Sequence, residues 1–200
     1  MVCLLLPLEA GIVDRLAVIV GQQTITQLQL DEEIRITALL NHRSITRDVE
    51  TRRAAADRLV EQLLIRRETE QSRYPLPDEQ DVNQYVQQIR RQNRGSAGLA
   101  KALAAYELSE STLRQHLESQ LVALHFVEYR FRPDAAISDG DIETAYRRRA
   151  EESKTKATLE ASREPIRAEL TEERTDAALS AWLAESRRQV NIVYLDKSLQ

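Results

Sequence analysis

The sequence predicts a mainly α protein, a multi-helix orthogonal bundle with a small β-sheet formed by an N-terminal hairpin and a C-terminal strand. Three observations carry this. The 200 residues hold only five Gly, five Pro, one Trp, six Tyr and two Phe, and the rest is rich in Leu, Ala, Arg, Glu and Gln, which favour helix. Apolar residues recur at helical spacing over most of the chain. β-branched runs stand near its two ends.

Ile12 to Val20, IVDRLAVIV, reads as a strand, Gly21-Gln22-Gln23 as a turn, and Thr24-Ile25-Thr26 as the return strand of a hairpin. Thr26 and Gln29 have capping-box spacing, so a helix carrying Leu28, Ile34, Ile36, Leu39 and Leu40 starts directly after it. A polar break at Asn41 to Ser44 precedes a long helix from about Asp48 to Ser72, with Leu59, Val60, Leu63 and Leu64 on one side. Tyr74-Pro75-Leu76-Pro77 ends it, because proline cannot continue the hydrogen-bond ladder.

Asp78 and Glu79 open the next helix, whose inner stripe is Val82, Tyr85 or Val86, and Ile89. Asn93 to Gly98 reads as a loop, followed by a short helix with Leu99, Leu103 and Tyr106 on one side. Ser109 caps a helix running to Arg130 with the stripe Leu113, Leu117, Leu121 and Leu124, and Pro133 closes it. Ser138 and Asp141 repeat the capping-box spacing before a polar helix to about Glu152, with Ile142, Ala145 and Tyr146 on its apolar side. The last helix begins near Leu159, carries Ile166, Leu170, Ala177, Leu179, Trp182 and Leu183, and accommodates Pro165 if that residue falls in the first turn. Val190 to Leu195, VNIVYL, alternates as a strand does. A lone strand leaves its backbone groups unpaired, so this one must join the N-terminal hairpin and close residues 12–196 into one domain.

Charge excludes one class of partner. The net charge of -4 comes from 28 basic and 32 acidic residues intermixed along the chain, so no one-signed field exists to hold a nucleic acid. The basic runs Arg52-Arg53, Arg66-Arg67, Arg90-Arg91 and Arg147 to Arg149 read as solvated helix faces. The single cysteine, Cys3, supports neither a disulfide framework nor a thiolate metal site. Met1 to Ala10, MVCLLLPLEA, reads as a leader or signal-peptide remnant over residues 1–11, without the basic start of such signals and too short to insert across a membrane.

No catalytic constellation emerges. His42, His116 and His125 are dispersed and have no metal-ligand spacing around them, and the nine-residue separation of the last two puts them on different helix faces. Asp31-Glu32-Glu33 and Glu151-Glu152 are sequence neighbours that diverge on a helix. No phosphate loop or nucleophile elbow is present. The expectation is a non-enzymatic protein without metal or cofactor. Its candidate binding residues are Tyr85, Leu99, Leu103, Tyr106, Phe126, Tyr129 and Phe131, apolar groups of the middle third that read either as core or as the lining of a groove for extended apolar segments.

These elements resemble a known family. VDRLAVIVGQQTIT at Val13 to Thr26, AADRLVEQLLIRRETE at Ala55 to Glu70, LPDEQDVNQYVQQIRRQN at Leu76 to Asn93, LAAYELSESTLRQHLESQL at Leu103 to Leu121 and ISDGDIETAYRRR at Ile137 to Arg149 resemble, in order, the N-terminal domain of SurA-type periplasmic chaperones. The tail from Glu164 to Asp196 resembles the closing helix and strand of that domain. In the family a parvulin-type prolyl isomerase module usually lies before the closing helix; here residues 150–159 form only a short hinge.

The resemblance implies an ATP-independent periplasmic chaperone or holdase, binding unfolded outer-membrane or secreted polypeptides without isomerase activity, membrane insertion or nucleic acid. The alternative is a structural module of the cell envelope, a homodimer exchanging C-terminal elements through residues 150–159.

Overall fold

The computed structural model describes residues 14–153 and 158–200. The leader, Cys3, the first residues of the expected hairpin strand and part of the expected hinge lie outside the described residues. Strands β1 (Leu16–Val20) and β2 (Gln23–Thr26) form the hairpin. The helices are α1 (Gln27–Leu40), α2 (Val49–Gln71), α3 (Glu79–Gln92), α4 (Ser96–Ala105), α5 (Glu110–Arg130), α6 (Asp139–Ser153) and α7 (Leu159–Gln189), and β3 (Ile192–Tyr194) follows. The protein is mainly α with a three-stranded antiparallel sheet, as the sequence predicts.

The sheet order is β2-β1-β3, so the chain's late strand pairs with its first one. Val18, Ile19 and Val20 lie opposite Tyr194, Val193 and Ile192. The turn is shorter than expected, because Gln23 already pairs with Val20. Gly21, at φ +60°, occupies the first of its two positions, where a II′ hairpin demands positive φ.

Side-chain caps set the helix starts. Thr26 accepts from Gln29 N while the Gln29 carboxamide accepts from Thr26 N, and Asp78 and Asp81 form the same reciprocal pair at α3. Asp48, Ser109 and Thr158 cap α2, α5 and α7. α4 starts at Ser96, inside the expected loop, and takes in Gly98. A Cβ at Gly98 would lie 1.7 Å from the Asn93 carbonyl oxygen, so glycine alone permits this tight approach of the two backbones. Pro165 is not in the first turn of α7 but in its interior. Ile166 beside it is fully buried against Ile142, and this packing holds α7 where the ladder loses a bond.

Among the described residues four apolar clusters form the core. Ala17, Val18, Leu30, Ala55, Ala56 and Val60 are fully buried where the sheet meets α1 and α2. A second cluster joins α1, α3, α4 and α5 through Ile36, Val86, Leu99, Leu113 and Leu117. A third surrounds Phe126 with Ile65, Phe131 and Trp182, and a fourth joins α6 to α7 through Ile142, Ala145 and Ile166. Leu124, expected in the α5 stripe, is exposed, and Phe126 is buried in its place. An i, i+4 stripe drifts by about 40° per step on a helix of 3.6 residues per turn, so α5 turns a new face inward as it passes between clusters.

Arg52, expected on a solvated face, is instead buried over most of its side chain and ties the chain's ends together. Its guanidinium donates to Asp196 Oδ2 at 2.7 Å, Gln27 Oε1 at 2.6 Å and Ser198 Oγ at 3.1 Å. Burial opposes ionisation of Asp196, but bonds from Gln27, the Ser198 backbone and Arg52 more than reverse this and hold its carboxyl well below the usual range. A carboxyl depressed in the folded state stabilises above its unfolded pKa, near 4, and the contribution is lost as pH falls through the folded value. Asp196→Asn is therefore expected to cost about 2 kcal/mol at neutral pH. Urea melts from neutral pH to pH 3 should show this difference shrinking, and an unchanging difference would remove the electrostatic basis of the latch.

Candidate functional site

The seven expected groove residues are not brought to one surface. Leu99 and Leu103 are buried between α3 and α5, facing Val86, Leu113 and Leu117. Phe126 and Phe131 belong to a separate cluster. Phe126 meets Tyr74 and Phe131 edge-on, each at 5.5 Å between centroids, and Trp182 at 4.8 Å. The Arg130 guanidinium stands 5.7–5.9 Å from the Phe126, Phe131 and Trp182 rings. Four of the seven are thus core residues, withdrawn because two packed clusters need them as partners. Tyr106 is half-buried and donates its hydroxyl to Arg43 O at 2.9 Å. Tyr85 and Tyr129 are exposed, and Tyr129 lies against His125.

The structure instead places a cleft of about 370 Å³ between β2, α1, α2 and α5. Its apolar lining is Ile25, Ile36, Leu59, Leu63 and Val122; its polar lining includes Gln29, Gln62, Gln115 and Ser119. β2 contributes Thr24 and Ile25 and is an edge strand, bonded in the sheet to β1 alone.

One wall is built on a buried carboxylate. Glu33 lies on the inward face of α1, three residues from Leu30 and from Ile36, and is 3 % exposed. Its Oε1 accepts from Arg58 Nε of α2 at 2.7 Å and from Thr37 Oγ1 at 3.2 Å. Its Oε2 lies 3.1 Å from Nδ1 of His116 on α5. Burial pushes the Glu33 carboxyl up, yet the hydrogen bonds and charges of His116 and Arg58 outweigh it and hold the group below the usual glutamate range. An ionised carboxylate only accepts, so His116 Nδ1 carries a proton, and this fixes the ring's tautomer and orientation.

His116 is 8 % exposed at its side chain, and its Nε2 is buried with no hydrogen-bond partner among the described residues. Arg90 Nε and Thr175 Oγ1 share that condition, but neither residue lines this cleft. A larger hollow of about 450 Å³ near the hairpin turn, walled by Arg67, Glu70, Gln71 and Gln189, has no such atom in its lining.

Neither Glu33 nor His116 stands out in the sequence, where one sits in an acidic run and the other is a lone helical histidine. The one sequence signal is position: Glu33 interrupts the apolar face of α1, and His116 precedes Leu117 on the α5 stripe. Among the described residues no group of three or more His, Cys, Asp and Glu is placed to hold a metal, and no helix is long and apolar enough to cross a membrane. Comparison with protein-family models and with curated proteins finds no match for this chain.

Phe126→Ala is expected to lower stability by about 3–5 kcal/mol, the cost of emptying an aromatic core site. Tyr129→Ala and Tyr85→Ala are expected to stay within about 0.5 kcal/mol of the parent. Chemical denaturation of the three variants separates core from surface; equal losses would contradict the burial of Phe126 and the exposure of the two tyrosines.

Proposed function

We propose that this chain is a non-catalytic polypeptide-binding module of chaperone type, which takes extended segments of unfolded envelope proteins in the β2/α1/α2/α5 cleft. The observation that carries the proposal is that cleft, where an edge strand adjoins both aliphatic and carboxamide side chains. An extended segment suits it on three counts. Backbone groups can pair along an unpartnered strand edge, as in β-strand addition. Aliphatic side chains accept apolar residues without demanding one shape. The glutamine carboxamides both donate and accept, so they match a peptide backbone of any sequence.

Electrostatics narrow the ligand further. Glu32, Glu33 and Glu118 line the cleft against Arg66, which disfavours polyanions and favours ligands that present N–H donors. The resemblance to SurA-type chaperones supports the same reading and supplies the periplasmic setting. It also supports holding without isomerisation, since only the few residues between the end of α6 at Ser153 and the start of α7 at Leu159 stand where the family usually carries its isomerase.

The alternative of a domain-swapped homodimer draws support from α6, which packs chiefly on α7 around the small cluster of Ile142, Ala145 and Ile166. The two readings differ in a single experiment. In light scattering of reduced, carboxymethylated α-lactalbumin, stoichiometric protein is expected to suppress aggregation. Ser119→Trp, which puts a large ring into the cleft from α5, should abolish suppression while leaving thermal unfolding unchanged. No suppression by the parent protein would overturn the chaperone reading, and a dimeric mass alongside that result would favour the structural one.

A further inference from the structure

The edge of β2 is open at one residue. Val20 and Gln23 flank a two-residue turn and form the hydrogen-bonded pair that closes it, so Val18 and Ile25, two steps along, form the next such pair. Thr24 lies between them, opposite Ile19, and turns its main-chain N–H and C=O away from β1. Among the described residues neither group is bonded elsewhere. Thr26 offers no second opening, because its N–H is taken by Gln29 Oε1 at 2.9 Å. Thr24 itself is exposed and lines the cleft.

The cleft around it is one reach of a longer trough. Leu63 walls both the cleft and the larger hollow by the hairpin turn, while Gln115 and Glu118 wall both the cleft and a third hollow of about 360 Å³ at the start of α3. A trough that passes an open strand edge fits a chain lying extended. Its charge selects among such chains. Glu33 is met by Arg58 and His116, Glu79 of the third hollow lies 3.9 Å from Arg114, and Asp78 is spent in the cap of α3. Glu32 from α1 and Glu118 from α5 have no ion-pair or hydrogen-bond partner among the described residues, and the lining sets Arg66 against the two of them. Two carboxylates facing one guanidinium favour a ligand that brings a cation.

We propose that β2 takes up, at Thr24, the main chain of an extended polypeptide segment bearing a lysine or arginine, whose cation is met by Glu32 and Glu118. The proposal rests on the reading of the cleft as a polypeptide site and adds its register and its charge preference. Thr24 N–H donates to one carbonyl of the segment and Thr24 C=O accepts from one of its N–H groups, the two-bond exchange of an antiparallel pair. A single open residue holds a guest strand without templating a sheet, since its neighbours Gln23 and Ile25 are turned to β1. The main chain is common to every polypeptide, so many sequences bind, and the carboxylates rank them by charge.

The test uses the intact protein and a dye-labelled peptide of alternating valine and threonine with one central lysine, titrated by fluorescence anisotropy at low salt. Replacing the lysine by norleucine removes the charge and keeps the stem, and is expected to weaken binding about threefold, the scale of one partly exposed ion pair. That difference should vanish in the double variant Glu32→Gln, Glu118→Gln. A single N-methyl group moved along the peptide main chain should find one position that weakens binding about tenfold, the scale of a lost hydrogen bond. In the ¹⁵N-labelled parent, hydrogen exchange of the Thr24 amide should slow about tenfold or more when the lysine peptide binds.

Equal affinities of the lysine and norleucine peptides for the parent would overturn the proposal, as would a Thr24 amide that exchanges as fast in the complex as in the free protein. Either result leaves the cleft a polypeptide site. Absence of binding by every peptide would overturn both readings. Should the double variant fail to fold, the norleucine comparison and the Thr24 exchange, both made on the parent, decide the matter.

Discussion

The crossing of α1, α2 and α5 is organised around one buried carboxylate. A charge with 3 % exposure needs compensating partners, and Glu33 recruits Arg58 from α2, His116 from α5 and Thr37 from its own helix. Apolar packing already resists sliding of these helices past one another. The three polar bonds tolerate no such movement, because a displaced partner leaves an unpaired charge in the interior. Glu33 and His116 are also part of the lining of the cleft beside this crossing.

A second constraint acts at the chain's ends. β1 is the central strand of a three-stranded sheet, and one of its neighbours comes from the far end of the sequence. Gln27 and Asp196, 169 positions apart, are hydrogen-bonded at 2.8 Å, and Arg52 binds both. Leu199 is buried in the same cluster as Ala17 and Val18. The sheet and the latch therefore close a loop that spans the seven helices of the described residues, a long-range closure whose cost must be offset by the packed clusters. β3 in turn covers one edge of β1 and leaves β2 as the edge beside the cleft.

What could be seen in the sequence is what is encoded locally. The caps at Thr26, Ser109 and Ser138 lie within three residues of the groups they satisfy, and the starts of those helices followed. The terminal strand was legible because its residue types leave few alternatives, and its partner because the remaining strand-forming run lay at the other end. Burial was less legible. The aromatics of the middle third lie close together in sequence, yet Phe126 is enclosed and Tyr129, three residues on, is exposed. The difference is made by Trp182 and Tyr74, more than fifty residues away in either direction. Glu33 and His116 are separated by 83 positions, and nothing in an acidic triplet or in a lone histidine announces that each is the other's partner. Arg52 was obscured in the same way, one guanidinium in a basic doublet whose ligands lie 25 and 144 residues off.

The α6 and α7 pair follows a different balance. Its own cluster is small, Ile142, Ala145 and Ile166 with Ile137, Tyr146, Leu159 and Leu170 at the margin. Around it run ion pairs joining Arg163 and Arg167 to Asp139, Arg174 to Asp141 and Arg149 to Glu169. Such pairs at the surface add little each, since solvent screens them and long side chains lose freedom in making them. The pair is then held chiefly by a few buried side chains, fewer than in either cluster beneath the sheet and cleft. Only the α6 end of the pair stands apart in this way, because the C-terminal half of α7 packs through Leu179, Trp182 and Leu183 into the clusters around Phe126 and beneath the sheet, so α6 can open with less disturbance to the rest than α7 can. The Glu33 crossing, built from α1, α2 and α5, does not depend on what joins α6 to α7.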